Sequence, residues 1–200
     1  MVLYIMRHGQ TQWNKLGKLQ GRTNIELTEE GRNLAKKTAE GMEKIHFDFI
    51  FSSPLSRAYH TALIVKGNRN TDIIVDERLN EVCFGDYEGR VVDERKGNLA
   101  LFFDNPDEYV PEGNAESYED ILKRSKEFID DVLFKLEKNH PNANVLISGH
   151  GGINKALLFH LQNKELKDFW KGAYQDNCAV NILEFNNAVV TMIEEAKYYY

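Results

Sequence analysis

The run Val2-Leu3-Tyr4-Ile5-Met6-Arg7-His8-Gly9-Gln10-Thr11 changes character at Arg7, where an apolar stretch too short for a helix ends in a cation, an imidazole and a glycine. A short, continuously apolar run reads as a strand buried on both faces, the kind found inside parallel sheets. Comparable runs rich in β-branched and aromatic residues lie at Phe47 to Phe51, Ile73 to Val75, Val145 to Ile147, Ala179 to Phe185 and Val189 to Ile193, so six strands are expected. Helical patterns separate them: Glu29 to Lys44 behind Thr28 as N-cap, Leu55 to Lys66 behind Pro54, Ser117 to Glu137, and Gly152 to Leu161. In the third, Ile121, Leu122, Ser125, Phe128, Ile129, Val132, Leu133 and Leu136 recur at helical spacing and mark one buried face. Strands alternating with helices imply a three-layer α/β/α fold around a mostly parallel six-stranded sheet. The last two runs, joined at Asn186-Asn187, read as a hairpin that adds an antiparallel edge strand.

With 200 residues, 42% of them hydrophobic, one domain spanning 1–200 is the expected organisation. The segment Val91 to Glu116 is polar and carries Pro106 and Pro111, so it is expected to make a short helical excursion over one end of the sheet, covering the site. The formal charge is −6 and the 25 Lys and Arg form no basic block, which argues against nucleic acid or an anionic membrane as a partner. An anionic ligand must then be drawn by a local cluster of cations. Cys83 and Cys178 are too few for a disulfide framework, no spacing suggests a metal site, and no cofactor motif is visible. The N-terminal run lacks the features of a signal peptide, and no apolar run is long enough to span a bilayer; a cytoplasmic setting is expected.

In an open α/β sheet, ligands bind beyond the carboxyl ends of the strands. Arg7-His8-Gly9 follows the first strand, Ser52-Ser53-Pro54-Leu55-Ser56-Arg57 the second, Glu77-Arg78-Leu79-Asn80-Glu81 the third, and Ser148-Gly149-His150-Gly151-Gly152 the fourth. Histidines, arginines and glutamates thus converge on one edge. Phosphoryl transfer needs that inventory: an in-line nucleophile, donors around the equatorial oxygens and an acid for the leaving oxygen. A neutral imidazole is nucleophilic near pH 7 and can be aimed if its second nitrogen donates to a backbone carbonyl. Arg7 and Arg57 supply forks that match phosphate oxygens, and His150, preferably as imidazolium, can stabilise transition-state charge. Gly9, Gly149, Gly151 and Gly152 would let backbone N–H groups approach the anion. Glu81 is the candidate acid, with Val82, Cys83 and Phe84 expected to desolvate it; Glu88 is its rival and Glu77 a weaker one.

These segments together resemble the histidine phosphatase superfamily, the group containing the cofactor-dependent phosphoglycerate mutases and their phosphatase relatives, over nearly the whole chain. Arg7-His8-Gly9-Gln10-Thr11-Gln12-Trp13-Asn14 resembles the family signature, in which the His accepts the phosphoryl group and the Arg and Asn bind phosphate. Gln20-Gly21, ahead of Leu27-Thr28-Glu29-Glu30-Gly31, resembles the segment that closes over the phosphate. Ser52-Ser53-Pro54-Leu55-Ser56-Arg57-Ala58 with Thr61 resembles the run supplying the second phosphate-binding Arg. Glu81 stands where the family has its proton donor, and Ser148-Gly149-His150-Gly151-Gly152 resembles the second-histidine motif. The resemblance implies a phosphoglycerate mutase-like fold, with His8, Glu81, His150, Arg7 and Arg57 as catalytic residues. Gly9, Thr11, Asn14, Gln20, Gly21, Arg22 and Gly151 are the expected substrate- or phosphate-binding residues.

Within the family, the acidic and aromatic Phe102-Phe103-Asp104-Asn105-Pro106-Asp107-Glu108-Tyr109 replaces the basic insertion of mutases, and Pro111-Glu112-Gly113-Asn114-Ala115-Glu116-Ser117 resembles a turn of the small phosphatases. The expected function is hydrolysis of a small phosphorylated metabolite through a phosphohistidine at His8, with no metal or cofactor. A phosphoglycerate mutase and an inactive phospho-ligand-binding module are the alternatives. Tyr87 departs from the family's usual Trp, and Asn154-Lys155 follow the second His where a basic residue commonly comes slightly later, which leaves substrate choice open. Thiolate chemistry at Cys83 would need an Arg six positions on, where Gly89 stands. His46, His60, His140 and His160 are expected to be surface or packing histidines. Trp13 and Trp170 are either pocket or core residues, Arg22, Arg78 and Lys155 either rim charges or solvated groups, and a homodimer is one of the open assembly states.

Overall fold

The structure is a computed structural model that describes residues 1–186 and 189–200, with the side chain of Glu94 left aside. Strands β1 (Val2–Arg7), β2 (Phe49–Ser52), β3 (Ile73–Val75), β4 (Asn144–Gly149), β5 (Val180–Asn186) and β6 (Val189–Lys197) form one sheet in the order β3-β2-β4-β1-β5-β6. The first four run parallel to their sheet neighbours; β5 is antiparallel to both β1 and β6. The β5–β6 hairpin forms the edge as expected, with the reversed strand one position inside it. Asn186 ends β5, and Asn187 of the expected turn lies outside the described residues.

Alternation along the inner strands separates two cores. Leu3, Ile5, Val145 and Ile147 pack on one face with Phe128, Leu133, Leu157 and Leu161. Met6, Leu146 and Ile50 pack on the other with Met42, Ala62 and Val65. The helices that cover these faces are α2 (Glu29–Gly41) and α3 (Ser56–Lys66) on one side, and α5 (Tyr118–Phe128) and α7 (Gly151–Leu161) on the other. Short helices α1 (Gln12–Lys15), α4 (Asn98–Asp104) and α6 (Phe134–Asn139) complete the chain. The three-layer α/β/α fold matches the expectation from sequence.

Boundaries shift for local reasons. Thr28 caps α2 by accepting from the Gly31 N–H at 3.0 Å, as expected, but the helix stops at Gly41 instead of Lys44. Arg69 takes over there, donating to the carbonyls of Met42 at 2.7 Å and Glu43 at 3.3 Å and so satisfying the orphan acceptors of the helix end. Phe47 lies outside β2, yet is wholly buried against Tyr4. The third helical pattern is real but interrupted: a π-helical stretch, Ile129–Leu133, joins α5 to α6. Among the described residues no helix is long and apolar enough to cross a membrane.

The expected short helical excursion is present, with α4 inside it. Its polar sequence conceals a third core, in which Leu99 and Phe102 pack with Phe84, Tyr118, Ile121 and Phe169. Phe102 stacks on Tyr118 at 4.8 Å, and the Trp170 indole N–H donates to the Phe102 carbonyl at 2.8 Å. The segment is therefore anchored by aromatic burial.

Candidate active site

Parallel pairing of β1 with β4 sets the centre of the site. Arg7 is in register with Gly149, so the next residues, His8 and His150, leave adjacent strands side by side, with ring centroids 5.1 Å apart. Both are buried. The Nδ1 of His8 lies 2.7 Å from the Gly9 carbonyl oxygen, which can only accept; Nδ1 therefore carries the proton and the Nε2 lone pair is free. Burial holds the His8 pKa well below the ordinary imidazole value, and the Arg57 and Arg7 charges push the same way. The backbone is pinned as well: the Asn177 side-chain amide donates to the His8 carbonyl at 2.9 Å.

Arg57, on the first turn of α3, is fully buried. Its guanidinium donates to the Gly21 carbonyl at 2.7 Å, the Thr23 carbonyl at 2.8 Å and Nδ1 of His150 at 3.2 Å. Burial brings its pKa down to about 10, so the cation persists at neutral pH. Because Arg57 only donates, His150 Nδ1 accepts, and Nε2–H donates to Ser53 Oγ at 2.8 Å. His150 is thus a neutral imidazole before substrate arrives, with its pKa held well below the ordinary value by burial first and then by Arg57. This corrects the expected imidazolium. Arg7 donates from Nη1 to the Gln175 carbonyl at 2.8 Å and the Tyr174 hydroxyl at 3.0 Å, and its buried Nε has no partner among the described residues.

Glu81 stands across from the histidines at the N-terminus of α7. Its carboxylate accepts from the backbone N–H of Val82 at 3.0 Å, Gly152 at 3.2 Å and Ile153 at 3.0 Å. Sequence reasoning gave the Gly152 N–H to phosphate and surrounded Glu81 with apolar groups; the helix end instead aims the carboxylate. Its backbone is braced from α5, where Arg124 donates to the carbonyls of Arg78 and Asn80 at 2.7 Å and to that of Glu81 at 3.3 Å. Glu116 holds Arg124 in place at 2.7 Å. The rival Glu88 is committed elsewhere: its oxygens accept from the N–H groups of Arg22, Thr23 and Phe84. It packs so closely that a Cβ on Gly21 (φ +53°) would lie 2.0 Å from it. Glu77 accepts from Asn80 on the surface.

A cavity of about 410 Å³ opens over these groups. Arg7, His8, Arg57 and Glu81 line it, as do Asn14, Gln20, Gly21 and Gly151 of the expected binding residues. His150 lies beneath, behind Arg57. The others sit apart from the lining. Thr11 caps α1, donates to Gln20 Oε1 at 2.8 Å, and shares a reciprocal capping box with Asn14. Gly9 spends its N–H on Thr61 Oγ1 at 2.9 Å, and a Cβ there would lie 2.8 Å from the Gly31 carbonyl oxygen. Arg22 pairs outside with Glu116 at 3.3 Å. Trp170 lines the cavity, whereas Trp13 packs under Lys18; Lys155 is inside, and Arg78 pairs with Asp76 and Asp131 instead. None of His46, His60, His140 and His160 lines it. The excursion contributes Val92, Arg95, Phe103 and Asp104 to the wall. Sequence reasoning missed Ser53 as the partner of His150, although it lies in a quoted run, and also missed Tyr174, Asn177 and Arg124, which carry no local signal.

Two histidines just past the ends of adjacent parallel strands, two arginines and a glutamate at a helix N-terminus thus gather around one cavity. The chain belongs to the histidine phosphatase superfamily (branch 1), whose model it matches over residues 3–194. It is 29% identical over 185 residues to phosphoserine phosphatase 1 of Hydrogenobacter thermophilus, covering 90% of this chain and 85% of that one. Among solved structures, Bacillus stearothermophilus YhfR superposes with a TM-score of 0.88 at 31% identity, covering 100% of this chain and 99% of that one. A phosphoserine phosphatase mutant from Entamoeba histolytica, solved with phosphoserine, gives 0.84 at 28% identity, covering 98% and 97%. The protein is a phosphatase with the phosphoglycerate mutase-like fold.

Proposed function

We propose that the enzyme hydrolyses phosphate monoesters of small metabolites through a phosphohistidine at His8. The observation that carries this reading is the His8 ring itself, protonated at Nδ1 by its bond to Gly9 and presenting a bare Nε2 to the cavity. In the first half-reaction the Nε2 lone pair forms the P–N bond as the P–O ester bond breaks, and Glu81 gives its proton to the departing oxygen. Arg7 and Arg57 bind the equatorial oxygens, with Asn14 beside them. His150 stays a neutral imidazole and positions Arg57, accepting from its Nε–H while donating to Ser53 Oγ. In the second half-reaction water attacks phosphorus, the Glu81 carboxylate takes its proton, the P–N bond breaks and His8 is regenerated.

Residues 1–200 act as one catalytic domain with the 91–116 excursion as a roof, a reading supported by Val92, Arg95, Phe103 and Asp104 in the cavity wall. A reducing, cytoplasmic setting is supported by the two free cysteines, Cys83 and Cys178. The test is phosphate release from a panel of alkyl and aryl phosphates by wild type, His8→Ala and Glu81→Gln. Release by wild type is expected, with His8→Ala inert on every ester and Glu81→Gln losing far more on the alkyl esters than on the aryl ones. Turnover by His8→Ala equal to wild type overturns the reading.

A further inference from the structure

The charges around the cavity are unevenly disposed. Five cations line it, Arg7, Lys18, Arg57, Arg95 and Lys155, against two carboxylates, Glu81 and Asp104. Asp104 is neutralised by Arg95 at 3.0 Å, and Glu81 is held by three backbone N–H groups, so neither is free to receive a cationic ligand group. Arg7 and Arg57 serve the phosphoryl group in the reading above. Lys18 is half-buried with its ammonium 5.9 Å from the Trp13 ring. Lys155 is the anomaly: it is buried, with 8% of its surface exposed, and no carboxylate among the described residues lies within ion-pair distance of it.

Its ammonium donates to the carbonyls of Lys171 at 3.1 Å and Ala173 at 3.2 Å. These two bonds fix the group and leave one donor unused, and the only opposing charge among the described residues that acts on it is the Glu195 carboxylate, beyond ion-pair distance behind the 172–173 backbone. Burial indeed pushes the Lys155 pKa down, assisted by Lys164. Lys155 sits five residues beyond His150 on α7, a rise of about 7.5 Å along the axis. Lys155 lines the same cavity as Arg7, His8 and Arg57, so one ligand can span from the phosphate-binding groups to it. Phe84, Phe103 and Trp170 give the cavity wall an apolar surface for that chain.

We propose that Lys155 is a specificity-determining residue that binds a carboxylate on the leaving group, so that the preferred substrates are phosphomonoesters of short hydroxy acids, and those of amino alcohols are disfavoured. This deepens the phosphatase reading and rests on it. The matched probes are 2-phosphoglycolate and O-phosphoethanolamine, with p-nitrophenyl phosphate as an ester whose leaving group carries neither charge. Wild type is expected to show a kcat/KM for phosphoglycolate at least about tenfold above that for phosphoethanolamine. In Lys155→Met the phosphoglycolate advantage over both other esters disappears, about tenfold, through KM rather than kcat; Lys155→Arg retains most of it. Thermal unfolding of both variants confirms that the fold is kept. A wild-type ratio near one overturns the proposal. So does an equal loss on all three esters in Lys155→Met, the signature of a latch for the 171–173 loop or of a contact to the transferred phosphoryl group. Hydrolysis of p-nitrophenyl phosphate with no preference for the acid defeats this inference alone; wild type inert on all three esters defeats the phosphatase reading with it.

Discussion

Gly152→Ala isolates the proton donor without touching it. Gly152 lies in the first turn of α7 with ordinary helical backbone, so alanine is tolerated there and by propensity even gains up to about 1 kcal/mol. The new Cβ, however, would lie 2.8 Å from Glu81 Oε1 and 2.6 Å from Val82 Cγ2. To restore ordinary contact near 3.5 Å the carboxylate must retreat by about 0.7 Å, loosening its bonds to the Gly152 and Ile153 N–H groups. A displacement of that order at a reacting group costs about 10²-fold, or ~2.7 kcal/mol in the barrier. The loss falls on esters whose leaving oxygen needs the proton. The assay is kcat/KM, which reports phosphoenzyme formation alone, for an alkyl phosphate beside p-nitrophenyl phosphate, whose phenolate leaves without a proton. The alkyl ester is expected to fall about a hundredfold and the aryl ester only a few-fold. A parallel fall on both esters, or no fall on either, would refute the placement of Glu81 as the acid.

Three further outcomes follow from the same geometry. Arg57→Lys cannot reproduce the fork that holds the Gly21 and Thr23 carbonyls and His150; urea titration should show a loss of about 2–4 kcal/mol, and kcat/KM should fall at least about 10²-fold. His8 and His150 have depressed folded pKa values, so the unfolded chain binds more protons once the pH falls below about 6.5. Stability is full above that pH and drops towards acid by up to ~1.4 kcal/mol per pH unit for each histidine; denaturation midpoints of His150→Gln between pH 7 and 5 should fall less steeply than those of wild type. Phe102→Ala removes the centre of the aromatic core under the excursion, so a loss of about 3–5 kcal/mol is expected by denaturant, with a raised KM because Phe103 and Asp104 line the cavity.

The layout of the sheet and the convergence of Arg7, His8, Arg57, Glu81 and His150 were legible because each rests on a local signal: a short apolar run followed by a polar turn at the carboxyl end of a strand. The pairing of His8 with His150 follows from strand register alone, since Arg7 faces Gly149. What was illegible is long-range. Arg124 reaches back to the Glu81 carbonyl from the middle of a helix whose other face is core, and nothing near it in sequence marks that job. The family resemblance prefers Glu81 to Glu88, and the physical reason, the Glu88 oxygens absorbed by the Arg22–Thr23 turn, carries no local signal. The charge state of His150 depends on Arg57 and Ser53, which lie 93 and 97 residues away. The core under the excursion was illegible because Leu99 and Phe102 lie inside a polar stretch, and their partners Phe84, Tyr118 and Phe169 come from elsewhere.

The central claim is covalent, and trapping the intermediate tests it most directly. Enzyme mixed with a ³²P-labelled alkyl or aryl phosphate and quenched in alkali should carry label that is stable to base and lost in acid, as a phosphoramidate is. Peptide mapping should place the label on His8, and His8→Ala should take up none. Label on another residue, an acid-stable bond, or single-turnover release of phosphate with no labelled protein at any time would contradict the account.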